Sequence, residues 1–270
     1  MSAPAILEVA VRAARAGGAV LRESLAGELD IEHKDGHADL VTAADRRSQE
    51  AVFAVIREAF PDHALLGEEG TAGAAAADEV WIVDPLDGTT NYVHGWPMFS
   101  VSIAHHAGGR PVCGVVLDPW NEELYAATAG GGATCNGVPL RVSHVAELSR
   151  SLLVTQVQSS DPAVIREYVE RLERLILLAG GVRNPGSPAL VLCAVAAGRL
   201  DGFCERRIKA WDVAAGSLIV AEAGGRVSDF AGGPAGSLEP VDLVATNGRI
   251  HAKLIEALRA PHASLEGSVP

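Results

Sequence analysis

The 270-residue sequence has four cysteines, Cys113, Cys135, Cys193 and Cys204, and none belongs to a C-x-x-C pair. That spacing argues against a zinc ribbon or a dithiol redox motif and predicts reduced core thiols. Positive charge is also scarce. The formal net charge is −12, so the chain lacks the basic footprint of a nonspecific nucleic-acid binder. Met1 to Leu25 is Ala-rich but interrupted by Glu8, Arg12, Arg15 and Arg22, which suits neither a signal-peptide core nor a membrane span. The sequence has no N-x-[ST] sequon, and no dinucleotide or P-loop fingerprint is completed around Gly130-Gly131-Gly132. No internal repeat is visible. These absences predict a soluble, cytoplasmic protein whose partners are neither nucleic acid nor membrane.

What is present is a large apolar fraction, 48% of residues, against 21% charged, enough for a sizeable core. Ile6, Leu7, Ala10, Val11, Ala14, Gly18, Leu21 and Leu25 recur at helical spacing. A strand end from Ile31 runs into a loop carrying Lys34. Thr42 is a good N-cap for a helix reaching about Phe60. Ala64-Leu65-Leu66 is a short strand ending at Gly67-Glu68-Glu69-Gly70. Thr71 to Asp78 reads as a surface loop. Strands follow at 99–104, 112–117 and 123–128. The second half alternates strands with helices. Helix 162–178 presents Ile165, Val169, Leu172 and Ile176 on one face, and Leu200 to Phe203 is a strand with Glu205 at its end.

The chemistry concentrates in Asp84-Pro85-Leu86-Asp87-Gly88-Thr89-Thr90-Asn91, after the apolar run Trp81-Ile82-Val83. The strand is expected to stop at Asp84, because Pro85 has no N–H for a ladder. Two carboxylates beside a helix start can hold hard cations and an anionic oxygen together. Alone, D-x-x-D-G also fits a surface turn, and an EF-hand is excluded by spacing. Asp45, Glu68 and Asp212 supply further acids from separate segments. Such a set repels itself unless multivalent cations compensate it, and its all-oxygen donors point to Mg²⁺ or Mn²⁺. Asp45 alone could equally complement a helix dipole.

Asp39-Leu40-Val41-Thr42-Ala43-Ala44-Asp45, Gly67-Glu68-Glu69, the segment from Trp81 to Asn91, and Trp211-Asp212-Val213-Ala214-Ala215-Gly216 closely resemble the inositol monophosphatase family of metal-dependent phosphatases. Glu222-Ala223-Gly224-Gly225 extends the last stretch, and the order and spacing match across almost the whole chain. The resemblance implies a five-layer αβαβα sandwich, as in the fructose-1,6-bisphosphatase fold, and a homodimer. It also implies one domain over 1–270, with a helical and antiparallel-sheet half (1–145), an α/β half (146–260) and a disordered tail (261–270).

The family's roles fall on matched positions. Glu68, Asp84 and the Leu86 carbonyl are expected to hold one Mg²⁺, and Asp84, Asp87 and Asp212 a second. A third, weaker ion is expected near Glu68, with Mn²⁺ as a substitute for Mg²⁺. Thr89 and Asp45, with Glu68, are expected to activate the attacking water. Lys34, Asp87, Gly88, Thr89, Gly186, Ser187, Glu205 and Asp212 are expected to contact substrate. The implied reaction is in-line hydrolysis of a sugar or polyol phosphate, myo-inositol monophosphate first, with lithium inhibition and Ca²⁺ competition. Histidinol phosphate, fructose 1,6-bisphosphate and a nucleotide 3′-phosphate are the alternative substrates. A low-turnover regulatory protein on the same fold is the alternative of another class.

Two positions depart from the pattern. Pro188 stands where the family's alcohol-binding strand has a residue with an N–H. Arg206 and Arg207 follow Glu205, either as solvated or dimer-contact side chains or as a basic rim.

Overall fold

Ile6, Val9, Ala10, Ala13, Ala14 and Leu21 share one buried face, so Ala3–Ser24 forms helix α1 against the first sheet. The computed structural model describes residues 3–25, 31–33, 40–72, 77–235 and 241–259. Lys34 and the tail 261–270 lie outside them, as does the middle, 73–76, of the loop assigned to 71–78.

A two-stranded ladder, β1 (Ile31–His33) and β2 (Leu40–Thr42), leads into α2 (Ala43–Ala59). Next come β3 (Ala64–Gly67), β4 (Gly70–Ala72), β5 (Glu79–Asp87) and the short helix α3 (Thr89–Val93). The meander β6 (Ser100–Ala107), β7 (Arg110–Asp118), β8 (Glu123–Thr128), β9 (Gly132–Cys135) and β10 (Val138–Pro139) completes an eight-stranded sheet, ordered β10-β9-β8-β7-β6-β5-β3-β4. It is antiparallel except for β3 beside β5. The segment read as a loop from Thr71 therefore begins as strand β4.

The second half contributes β11 (Leu152–Thr155), α4 (Pro162–Leu178), β12 (Gly181–Arg183), α5 (Pro188–Ala196), β13 (Gly202–Ile208), α6 (Ala210–Glu222), β14 (Arg226–Ser228), β15 (Val241–Thr246) and α7 (His251–Arg259). Its sheet runs β12-β11-β13-β15-β14.

The layers follow from what each helix buries. α1 and α2 cover the outer face of the large sheet, and α4 and α7 the outer face of the small one. α5 and α6 are apolar on nearly all sides and lie between the sheets, in a core that also takes Ile82, Val116, Val154 and Phe203. This is the expected αβαβα order. Cys113, Cys193 and Cys204 are buried free thiols, and Cys135 is half-buried.

One amphipathic assignment is reversed. Ile165, Val169 and Ile176 are 38%, 52% and 59% exposed, and α4 instead turns Tyr168, Arg171, Arg174 and Leu175 inward. Arg174 donates to the Ala257 and Leu258 carbonyls at the end of α7, so a buried cation serves a helix C-terminus there. The apolar stripe marks a face that this chain leaves uncovered.

Candidate active site and metal centre

β5 does not stop at Asp84. It continues through Pro85 to Asp87, and Asp84 pairs with Ser102 while Asp87 pairs with Ser100. Three steps along β5 thus match two along β6. This bulge absorbs a proline that cannot donate to the ladder. In a regular strand residues three apart face opposite sides; the extra residue brings both carboxylates to the same side. Ser48 Oγ fixes the bulge by donating to the Pro85 carbonyl at 2.8 Å. Gly88 follows with φ of 90°, and a side chain there would meet the Met98 carbonyl, so the turn requires glycine.

Asp212 arrives from the first turn of α6. One oxygen from each of Asp84, Asp87 and Asp212 lies within 4.8 Å of the others. Asp84 Oδ1 accepts from the Leu86 N–H at 3.0 Å. Asp87 Oδ2 accepts from Ser187 Oγ at 2.6 Å, Ala189 N at 2.9 Å and Ser100 Oγ at 3.2 Å. Burial pushes Asp87 up to about 6 against those bonds. Burial first, then Glu68, Asp87 and Asp212, holds Asp84 well above the usual carboxylate range. Asp212 is raised likewise by burial, Asp87, Glu68 and Glu205. Among the described residues no lysine or arginine forms a salt bridge with any of the three. Converging, uncompensated carboxylates fit hard divalent cations. Glu68, on the turn after β3, and the Leu86 carbonyl border the same cavity of about 790 Å³.

Asp45 serves two elements. Its Oδ2 takes the Thr42 N–H at 2.8 Å and the Thr42 hydroxyl at 2.7 Å, a capping box at the start of α2. Its Oδ1 lies 3.1 Å from Thr89 Oγ1, which also reaches the Leu86 carbonyl at 3.1 Å. Burial raises the Asp45 carboxyl, opposed by its Thr42 bonds. The helix-start reading and the site reading therefore both describe this residue.

Gly186, Ser187 and Glu205 line the same cavity. Gly186-Ser187-Pro188-Ala189 is not a strand. Ser187 is left-handed at φ 52° and Pro188 opens α5. A proline at the first helical position gives up an N–H with no intrahelical acceptor. The N–H that matters there belongs to Ala189, and it goes to Asp87.

Glu205 sits within β13, not at its end; the strand resumes after an irregularity at Arg206-Arg207, where Arg207 has φ of 58°. Both arginines line the cavity and both are paired, Arg206 with Glu167 and Asp242, and Arg207 with Glu167. Two acids thus offset the rim's positive charge.

Sequence reasoning missed Asn91 and Gln156. Asn91 Nδ2 ties the Met98 and Pro185 carbonyls together, and the Gln156 amide hydrogen bonds Glu205. A polar residue directly after the apolar strand Leu152–Thr155 was the available signal for Gln156.

His63, Glu79 and His105 form a second cluster. Trp81 Nε1 donates to His63 Nδ1 at 3.1 Å, and the two imidazoles stack at 5.4 Å and 25°. His105 Nε2 lies 3.0 Å from Glu79 Oε2, so the contacts inside this packed cluster already engage His63 Nδ1 and His105 Nε2.

Residues 4–263 match the model of the Inositol monophosphatase family. "Inositol monophosphatase 1" of Bos taurus is 41% identical over 84% of this chain and 84% of its own length. "Nus factor SuhB" of Pasteurella multocida is also 41% identical, over 94% of this chain and 96% of its own. The solved inositol monophosphatase of Anabaena (Nostoc) sp. PCC 7120 superposes with a TM-score of 0.85 at 41% identity, covering 97% of this chain and 98% of that one. With the matched acids gathered at one cavity between two sheets, the chain belongs to the inositol monophosphatase family of phosphatases.

Proposed function

We propose that the protein hydrolyses a small sugar or polyol phosphate, myo-inositol monophosphate foremost, with Mg²⁺ held by Glu68, Asp84, Asp87, Asp212 and the Leu86 carbonyl. The carrying observation is the Asp84–Asp87–Asp212 set at the wall of the cavity, with Asp84 and Asp87 buried and Asp212 half-buried. Two or three ions fit its donors, and Mn²⁺ shares their chemistry. When bound, the cations acidify a water and compensate charge on the phosphate and the departing alkoxide.

The chain's own residues do the rest. Thr89 Oγ1 orients the attacking water, and Asp45 Oδ1 receives its proton through that hydroxyl. Ser187 and Ala189 fix Asp87 from the α5 side, so the phosphate end and the alcohol end of the cavity are registered to each other. Glu205 accepts hydrogen bonds from the alcohol. Gly88, Gly186 and Lys34 complete the proposed substrate contacts. A homodimer belongs to the same reading, supported by the exposed apolar residues of α4 and by Trp96 at 59% exposure. So do lithium sensitivity and a cytoplasmic location; among the described residues no helix is long and apolar enough to cross a membrane.

The test is phosphate release at saturating Mg²⁺ from inositol 1-phosphate, histidinol phosphate, fructose 1,6-bisphosphate and adenosine 3′,5′-bisphosphate, with Asp212→Asn alongside. Preference for inositol 1-phosphate, lost in the variant, is expected. Preference for another substrate moves the biology and keeps the chemistry. Relatives named Nus factor are as similar as those named monophosphatase, so silence on all four favours the regulatory alternative.

A further inference from the structure

Arg171 is a guanidinium only 8% exposed on the inner face of α4, and among the described residues it has no carboxylate within salt-bridge distance. Its Nε donates to Thr155 Oγ1 at 3.1 Å and its Nη2 approaches the Gln156 carbonyl at 3.5 Å. The cation rests near the rings of Tyr168 and Phe230, 5.6 and 6.0 Å from their centroids. Thr155 pairs with Cys204 across β11 and β13, so the residues that follow, Gln156 and Glu205, are neighbours. Gln156 hydrogen bonds the Glu205 carboxyl, and Glu205 Oε2 is buried with no protein partner. Gln156 and Glu205 line the cavity, and Arg171 stands behind them.

A buried cation without an ion pair is costly unless something nearby needs its charge. We propose that Arg171 is a positioning residue which, through Thr155 and Gln156, keeps Glu205 a fixed carboxylate at the cavity wall, so that this wall selects neutral hydroxyl-rich alcohols. The proposal rests on the polyol-phosphatase reading above. Burial pushes the Glu205 carboxyl up to about 8, and Gln156 and Arg171 oppose that shift, in line with this role. A carboxylate with a guanidinium behind it has part of its charge offset. It accepts hydroxyl hydrogen bonds without drawing in an amine-bearing alcohol as a lone carboxylate would.

The experiment compares Arg171→Met, Arg171→Lys and Glu205→Gln in the Mg²⁺-loaded protein. Inositol 1-phosphate has hydroxyls for Glu205 to receive, and 4-nitrophenyl phosphate has none. Arg171→Met is expected to raise KM for inositol 1-phosphate about tenfold. Its kcat, and kcat/KM for 4-nitrophenyl phosphate, should stay within twofold of wild type. Arg171→Lys should recover part of the loss, and Arg171→Met should add nothing in a Glu205→Gln background. Equal losses on both substrates, or an undiminished effect in the Glu205→Gln background, overturn the proposal.

A second readout does not depend on the substrate. In ¹³C-glutamate NMR, with Glu205→Gln supplying the assignment, the Glu205 midpoint should move to higher pH in Arg171→Met and back toward wild type in Arg171→Lys. An unmoved Glu205 signal overturns the proposal whatever the substrate proves to be. A moved signal in a wild-type enzyme indifferent to polyols refutes the substrate reading and leaves the coupling standing.

Discussion

Replacing Asp84 by asparagine should stabilise the metal-free protein while removing its response to Mg²⁺. Asp84 shares a 4.8 Å cluster with Asp87 and Asp212, and like charges at that separation cost about 3 kcal/mol per pair at an effective dielectric of about 20. Asparagine keeps the oxygen that accepts the Leu86 N–H and turns an amide N–H toward the remaining carboxylates, much as a protonated Asp84 would. A gain of about 3 kcal/mol in a chain of this size raises Tm by roughly 6 °C. The assay is thermal unfolding at pH 7.5, first in EDTA and then across a Mg²⁺ titration. Wild type should gain RT ln(1 + [Mg²⁺]/Kd), and the variant should stay flat. A variant less stable than wild type in EDTA, or one that Mg²⁺ stabilises as well as wild type, would refute the electrostatic account of the site.

Three further outcomes follow from single features. His251 is buried between Ser228 and Thr246, and burial lowers it from 6.5 to about 4, so the unfolded chain binds its proton more readily. Its contribution is complete above pH 6.5 and lost as pH falls toward 4, about 3 kcal/mol in all. The stability difference between wild type and His251→Gln in urea should shrink by about that amount over the window, and a constant difference counts against it. A Cβ at Gly114 would lie 2.8 Å from the Ala215 carbonyl, where β7 presses on α6, so Gly114→Ala should cost about 1–3 kcal/mol in urea denaturation. A cost below about 0.5 kcal/mol would show that the layers can part there. Pro188→Ala should leave the substrate ranking unchanged, because the α5 N–H in use belongs to Ala189; a reordered panel of kcat/KM values would give the proline a role in specificity.

Much of the site was legible because its acids lie at strand ends and helix starts, where Gly, Pro and Thr announce a change of chain direction. Asp84, Asp87 and Asp212 come together at one cavity, and Asp45 reaches its lining through Thr89. The errors share a cause. Proline's missing N–H does forbid a regular ladder at Pro85, but local rules carry no information on whether the partner strand will skip a residue to accommodate it. Glu205 likewise reads as a strand end in the sequence, whereas β15 holds β13 on both sides of the irregularity at Arg206-Arg207. On α4 the 3.6-residue period located the helix but assigned the apolar stripe to the wrong side, since Arg171 and Arg174 are drawn inward by carbonyls and a hydroxyl of other elements. Those partners are 15 to 84 residues away, beyond any window on which periodicity operates.

The helices between the sheets carry a temporal consequence. Asp84 and Asp87 belong to the large sheet, Asp212 to α6, and the donors that hold Asp87 to the entrance of α5. No single half of the chain contains a finished coordination shell. The three acids therefore meet only as the two sheets close on the helices between them, and a cation held there would bridge both halves. Binding of such a cation would therefore report that the halves have met.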